Sequence, residues 1–241
     1  MYNPILSVSN LSVSYQNENK KLHVLKNINF QSKEGEFISI IGPSSCGKTT
    51  LLKSIAKLID PCFGQINTNG KLTLVFQDYS KSLFQWKTVR QNIEFGFERN
   101  GKTGNFQKLI NLVGLKGFEN YHPYQLSGGM QQRVAIARAI AYDPQIILMD
   151  EPFGSLDSQT RLRLEDELLR IWGRLNKTIL FVTHDVEEAI YLADRVIVLS
   201  SKPAKIVSDV RINLARPRNQ IGTKKSKEYI RLWDKIYKFL Q

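Results

Sequence analysis

Residues 36–59 read EFISIIGPSSCGKTTLLKSIAKLI. The run from Phe37 to Ile41 is short, apolar and uninterrupted, as in a parallel strand buried on both faces. KTTLLKSIAKLI then carries apolar residues at helical spacing, which predicts a helix over 48–59. Between the two, Gly42, Pro43, Ser44, Ser45, Cys46, Gly47, Lys48 and Thr49 fit the pattern of a glycine, four residues, a glycine, a lysine and a hydroxyl residue. A loop joining strand to helix in this way turns successive backbone N–H groups inward. The helix start adds about half a positive charge. Lys48 can then reach outer phosphates and Thr49 can offer a hydroxyl to Mg²⁺, with Thr50 beside it in the first helical turn. The stretch therefore predicts a nucleotide-phosphate site on an α/β core.

Working outward, the first 35 residues alternate apolar and polar positions on either side of QNENKK, which predicts an antiparallel hairpin. Residues 85–145 read as mostly helical with glycine breaks. Two further buried runs follow, QIILM and TILFV, separated by the charged helical stretch SQTRLRLEDELLRIWGRL, and strand and helix alternate again through RVIVLS. Such alternation predicts a parallel sheet covered on both faces, with a helical insert and a flanking antiparallel layer.

The two later buried runs end in chemistry. IILMDEP places Asp150 and Glu151 at a strand's carboxyl end, where open α/β sheets put their ligands. Asp150 is positioned to hold Mg²⁺, through water, and Glu151 to polarise an attacking water as general base. TILFVTHD ends in His184, placed to contact a γ-phosphate. His23 and His122 have no such setting. A second glycine pair, in LSGGMQQR (126–133), follows no strand-like run and precedes no lysine, so it is not a second P-loop.

With GPSSCGKT, LSGGMQQR, IILMDEP, SLD and His184 in this order, the chain resembles the ATP-binding cassette subunits of ABC transporters across nearly its whole length. The fold this implies is a P-loop NTPase core with a parallel sheet, a flanking antiparallel β layer and an inserted helical subdomain. In this single domain the core spans 1–84 and 146–213, the helical subdomain 85–145, and a basic helical tail 214–241. Carried over by position, Tyr15 looks like the aromatic residue that stacks on adenine, and Gln77 like the glutamine that senses Mg²⁺ and links core to subdomain. Asp157 resembles the residue that communicates between subunits, and it also suits a helix N-cap. In the family the LSGGM start, here Ser127, Gly128 and Gly129, faces the γ-phosphate held by the opposite subunit. The resemblance thus implies a homodimer that ATP closes, with Lys48, Gln77, Glu151 and His184 serving hydrolysis. Ser45 departs from the family pattern, standing where glycine is usual; an unusual φ there would strain a serine.

The segment SLFQWKTVRQNIEFGF resembles the part of nitrate, sulfonate and taurine importers that receives a coupling helix. Leu83, Phe84, Trp86 and Val89 are expected to form that groove, and Gln85 replaces the class's usual proline. The resemblance implies two integral membrane permease subunits and an extracytoplasmic solute-binding protein as partners, and a place at the cytoplasmic face of the membrane.

Charge and composition bound the alternatives. Hydrophobic residues make up 42% and charged residues 23%, and the net charge is +12. From Lys202 to Gln241 stand eleven Lys or Arg against three acids, so the excess gathers at one end, unlike a nucleic-acid groove that spreads basic residues through the fold. KEYIRLWDKIYKFL sets Ile230, Trp233, Tyr237 and Leu240 on one helical face and Arg231, Lys235 and Lys238 on another. That helix suits anionic lipid, or packing on its own domain or on a dimer mate. The amino terminus has neither the basic start nor the apolar run of a secretion signal, and no stretch is apolar for the length of a membrane span, so the chain is expected to stay in the cytosol. Cys46 and Cys62 have no metal-binding spacing. A soluble cassette acting on nucleic acid or ribosomes is the competing reading. The short interval from Gln77 to Leu126 leaves no room for the long coiled coils of chromosome and repair cassettes, and one P-loop excludes two cassettes in one chain; no nucleic-acid partner is expected.

Overall fold

A computed structural model describes residues 4–17, 20–78, 82–101 and 104–240. The QNENKK connector lies partly outside these residues.

Phe37–Ile41 forms β3, buried at every position. It lies inside a six-stranded sheet with β5 (Leu72–Val75), β6 (Ile146–Asp150), β7 (Thr178–Val182), β8 (Arg195–Leu199) and β9 (Ile206–Arg211). The order is β5-β6-β7-β3-β8-β9, parallel except for β9, which pairs antiparallel with β8 at the edge. Side chains alternate across β3: Phe37 and Ile41 enter one apolar core, Ile38 and Ile40 the other.

The core holding Ile38 and Ile40 is completed by α1 (Lys48–Ile55) and by a three-stranded antiparallel sheet of β1 (Leu6–Asn17), β2 (Lys20–Ser32) and β4 (Phe63–Thr68). The other core is covered by helices. These are α2 (Val89–Asn100), α3 (Phe106–Leu112), α4 (Gly128–Ala141), α5 (Ser158–Leu175), α6 (Val186–Leu192) and α7 (Lys227–Tyr237). One packed layer on each face buries the parallel strands on both sides, which is why these strands read as continuous apolar runs.

Local chemistry sets the helix ends. Asp157 caps α5 by accepting from the Thr160 N–H at 3.0 Å, and Asn176 ends it in the left-handed region at φ 49°. Leu164, Leu168 and Ile171 form its buried stripe. α2 opens with a Thr88–Gln91 capping box. It crosses α4 so closely that a Cβ on Gly96 would lie 2.4 Å from the Arg138 carbonyl oxygen; only glycine permits that approach.

Three expectations need correction. The helix predicted over 48–59 ends at Ile55, and Lys57 takes φ 58° instead of continuing it. Leu83 and Val89 are buried in the core and do not line a groove; Trp86 is exposed, with Phe84 half-buried beside it at 5.4 Å between rings. In α7 the buried face is Tyr229, Leu232 and Ile236, whereas Ile230 and Tyr237 are exposed. The helix packs on its own domain, against α6, where the Tyr229 hydroxyl donates to the Glu187 carbonyl at 3.1 Å.

Candidate active site

The sheet order carries the site. β5, β6, β7 and β3 are neighbours running in parallel, so their carboxyl ends present Gln77, then Asp150 and Glu151, then His184, then the Gly42–Thr49 loop along one edge.

In the loop, Lys48 is buried and its Nζ donates to the carbonyls of Gly42 at 2.9 Å and Pro43 at 3.1 Å. These bonds hold the ammonium over the loop's mouth. Gly47 has φ 122° and a Cβ there would meet Val24 at 2.7 Å, so both conformation and space require glycine. No side chain caps the start of α1 and no acid stands in its first turn, which leaves the amides of this turn for an anion. Ser44 and Ser45 are exposed, and Ser45 adopts φ 59°, the left-handed conformation that favours glycine. Cys46 is buried with its N–H on the Pro43 carbonyl at 3.2 Å; burial pushes its thiol pKa up, against the lowering effect of Lys48 and Lys202. The Tyr15 hydroxyl lies 3.3 Å from the Thr50 hydroxyl, at the foot of the same helix. Tyr15, Leu22, Val24, the Ser45–Thr50 stretch, Glu151 and Lys202 enclose a cavity of about 260 Å³.

At the β6 end, the Thr49 hydroxyl donates to Asp150 Oδ1 at 3.0 Å. Burial raises the Asp150 carboxyl above its ordinary pKa, and the neighbouring Glu151 charge pushes the same way while the Thr49 bond opposes it. Glu151 follows with φ 42°, so the chain turns sharply off the strand end. Its Oε2 receives the Gln77 amide at 3.3 Å and faces His184 Nδ1 at 3.1 Å. Gln77, Glu151 and His184 thus form one hydrogen-bonded set around a carboxylate.

The second glycine pair is placed differently. Ser127 is exposed and caps α4, accepting from the Met130 N–H at 3.4 Å. Gly129 is buried against α5, where a Cβ would lie 3.0 Å from Thr160 Cγ2. Among the described residues neither hydrogen-bonds to the Gly42–Thr50 loop. Gly128 and Gln131 open onto a cavity of about 940 Å³ that also holds Thr49, Gln77 and Asp150. Asp157 is exposed, and its bonds to the Thr160 N–H hold its carboxyl below the usual range.

Sequence reasoning missed Leu22, Val24 and Lys202 in the cavity wall. Leu22 pairs across strands with Tyr15, so the alternation in β1 and β2 carried a signal for it. Lys202 had none, because a turn after β8 brings it there.

A phosphate-binding loop between a parallel strand and a helix, on this sheet order, defines a P-loop ATPase. The family model described as ABC transporter matches residues 25–154, and the chain belongs to that family. MJ0412 of Methanocaldococcus jannaschii, an uncharacterised ABC transporter ATP-binding protein, is 49% identical over 228 residues, covering 89% of this chain and 85% of that protein. The aliphatic sulfonates import ATP-binding protein SsuB of Bacillus thuringiensis is 42% identical over 225 residues, 89% of each chain. The nitrate import ATP-binding protein NrtD of a Synechocystis species is 42% identical over 254 residues, covering 98% of this chain and 95% of that one. Among solved structures, the dimeric ABC transporter cassette MJ0796 superposes with a TM-score of 0.75 at 32% identity, covering 86% of this chain and 98% of that chain. Its post-hydrolysis state bound to ADP and Pi gives 0.74 at 31%, with the same coverage. The sheet topology and these relatives agree on an ATP-binding cassette ATPase.

Proposed function

We propose that this chain powers an importer for a small anionic solute, hydrolysing ATP between two copies of itself beneath a pair of membrane permease subunits. The observation that carries the hydrolysis is the set around Glu151: Gln77 and His184 hold its Oε2 from two sides, and φ 42° turns it off the strand end beside the Gly42–Thr49 loop.

In this reading Gly47 and the first amides of α1 hold the phosphates, Lys48 neutralises the outer ones, and Tyr15 stacks on the base. Glu151 accepts a proton from the attacking water. His184, hydrogen-bonded through Nδ1 to that carboxylate, orients it and leaves its other ring nitrogen toward the γ-phosphate. Gln77 carries the state of the site toward the helical insert. Thr49, Asp150 and Gln77 offer hard oxygen donors suited to Mg²⁺, and a cation there would offset the burial that raises the Asp150 carboxyl. The ion would supply charge neutralisation between the outer phosphates. Ser127 and Gly129 serve the partner copy's nucleotide, which agrees with the absence of hydrogen bonds from them to their own loop among the described residues. Asp157 then lies at the interface while capping α5.

Import of an anion is supported by the nitrate and sulfonate relatives. Among the described residues no helix is long and apolar enough to cross a membrane; in this reading the permeation path is built by the permease subunits. A permease would dock through the groove that Phe84 shares with Phe95, Arg138 and Tyr142, between β5 and the helical insert. Affinity purification of the tagged chain from detergent-solubilised native membranes in ATP-free buffer tests this. A polytopic membrane protein is expected to copurify; recovery of ribosomal or other soluble proteins alone would overturn the importer reading.

A further inference from the structure

The wall facing the phosphate loop is built by β1, β2 and the turn after β8. That turn is pinned: the Ala204 N–H donates to the Val24 carbonyl at 2.8 Å, the Lys26 N–H donates to the Ala204 carbonyl at 2.9 Å, and Ala204 is fully buried. Val24 in turn packs on Gly47. Loop, strand and turn thus form one packed unit, and Lys202 emerges from it, exposed, into the cavity that Tyr15, Ser45 and Thr50 also line. Among the described residues its ammonium has no hydrogen bond or ion pair. Its field reaches Cys46 inside the loop.

The cavity already divides by chemistry. Lys48 lies at one end, where the proposed function puts the outer phosphates, and the aromatic and aliphatic faces of Tyr15, Leu22 and Val24 suit a base. In a nucleotide laid between those two ends, the anion nearest the base would be the α-phosphate on its ribose. We infer that Lys202 is a further nucleotide-binding residue that supplies the cation for the α-phosphate. This rests on the cavity being the nucleotide site. Because ATP and ADP share the α-phosphate, Lys202 strengthens both equally and leaves γ-phosphate discrimination to Lys48 and His184. Its exposure keeps the effect modest and salt-dependent.

The test is calorimetric binding of ADP and of a non-hydrolysable ATP analogue to the full chain, at low and high salt. Lys202→Met should raise Kd for both nucleotides by the same factor, about fivefold at low salt, as for an exposed charge pair strengthened by a phosphate. The factor should shrink in 0.5 M salt, Lys202→Arg should restore binding, and Lys205→Met, on the same turn but outside the cavity, should bind as wild type. Unchanged Kd in Lys202→Met, a loss confined to the triphosphate, or an equal loss in Lys205→Met would overturn the inference. Failure of the underlying site assignment looks different: the wild type would bind neither nucleotide, or Lys48→Ala would bind as well as wild type.

Discussion

Replacing Ser45 with glycine should stabilise the protein. Ser45 sits at φ 59° in the phosphate loop, and a left-handed conformation costs a residue with a Cβ about 1–2 kcal/mol. Its side chain is exposed and makes no hydrogen bond among the described residues, so truncating it removes no hydrogen bond. Glycine gives back about 0.4–1 kcal/mol through the greater freedom of the unfolded chain. The balance is a gain of about 0.5–1 kcal/mol, or roughly 2 °C in melting temperature for a chain of this size. Differential scanning calorimetry of wild type, Ser45→Gly and Ser45→Ala separates strain from hydroxyl chemistry, since alanine keeps the Cβ and should melt with wild type. ATP affinity of the glycine variant should equal or exceed that of wild type. A Ser45→Gly melting temperature at or below that of wild type would refute the claim that the loop stores backbone strain here.

Three other outcomes are expected. Lys48→Ala should weaken ATP binding at least about tenfold, measured by equilibrium titration, because a charge-assisted contact to the outer phosphates is lost. Glu188 is buried beside Thr183, Asp185, Glu165 and Arg161, and desolvation pushes its pKa up to about 8. A carboxyl whose folded pKa is raised binds more protons folded than unfolded, so its stability contribution is complete below about 4.5 and is lost as pH rises toward 8. Glu188→Gln, which mimics the neutral acid, should therefore melt close to wild type at pH 5 and above it at pH 8; parallel curves would contradict this. The buried Arg218 guanidinium donates to the carbonyls of Ile190, Tyr191 and Ala193 at 3.2, 2.8 and 2.9 Å. Arg218→Ala strands them and should cost about 3 kcal/mol in a denaturation series, with lysine, which lacks the planar fork, a poor substitute.

The phosphate loop, the strand-end acids and His184 were legible because each sits where a buried apolar run stops, and strand burial on both faces leaves an unmistakable run. α5 matched its predicted stretch to the residue, Ser158–Leu175, since its apolar stripe and its Asp157 cap agree. The end of α1 was not legible: Lys57 turns to φ 58° without a glycine to announce it. Nor was the left-handed backbone of Glu151, which no glycine announces. In α7 two apolar rows lie about one residue's rotation apart, and helical spacing alone fits either. Contact with α6 selects Tyr229, Leu232 and Ile236. The basic tail was read by its charge, yet part of that charge has partners within the fold. Arg216 pairs with Asp194 at 2.7 Å, Arg218 binds carbonyls, and Lys224 reaches Glu187 at 3.4 Å.

Two copies closing on ATP is the claim on which the mechanism turns, and Glu151→Gln isolates it by removing the proposed base while leaving the loop intact. Light scattering coupled to size exclusion should report one chain, 27.7 kDa, without nucleotide and twice that mass with excess Mg-ATP. A single-chain mass at saturating ATP would contradict the shared-site account.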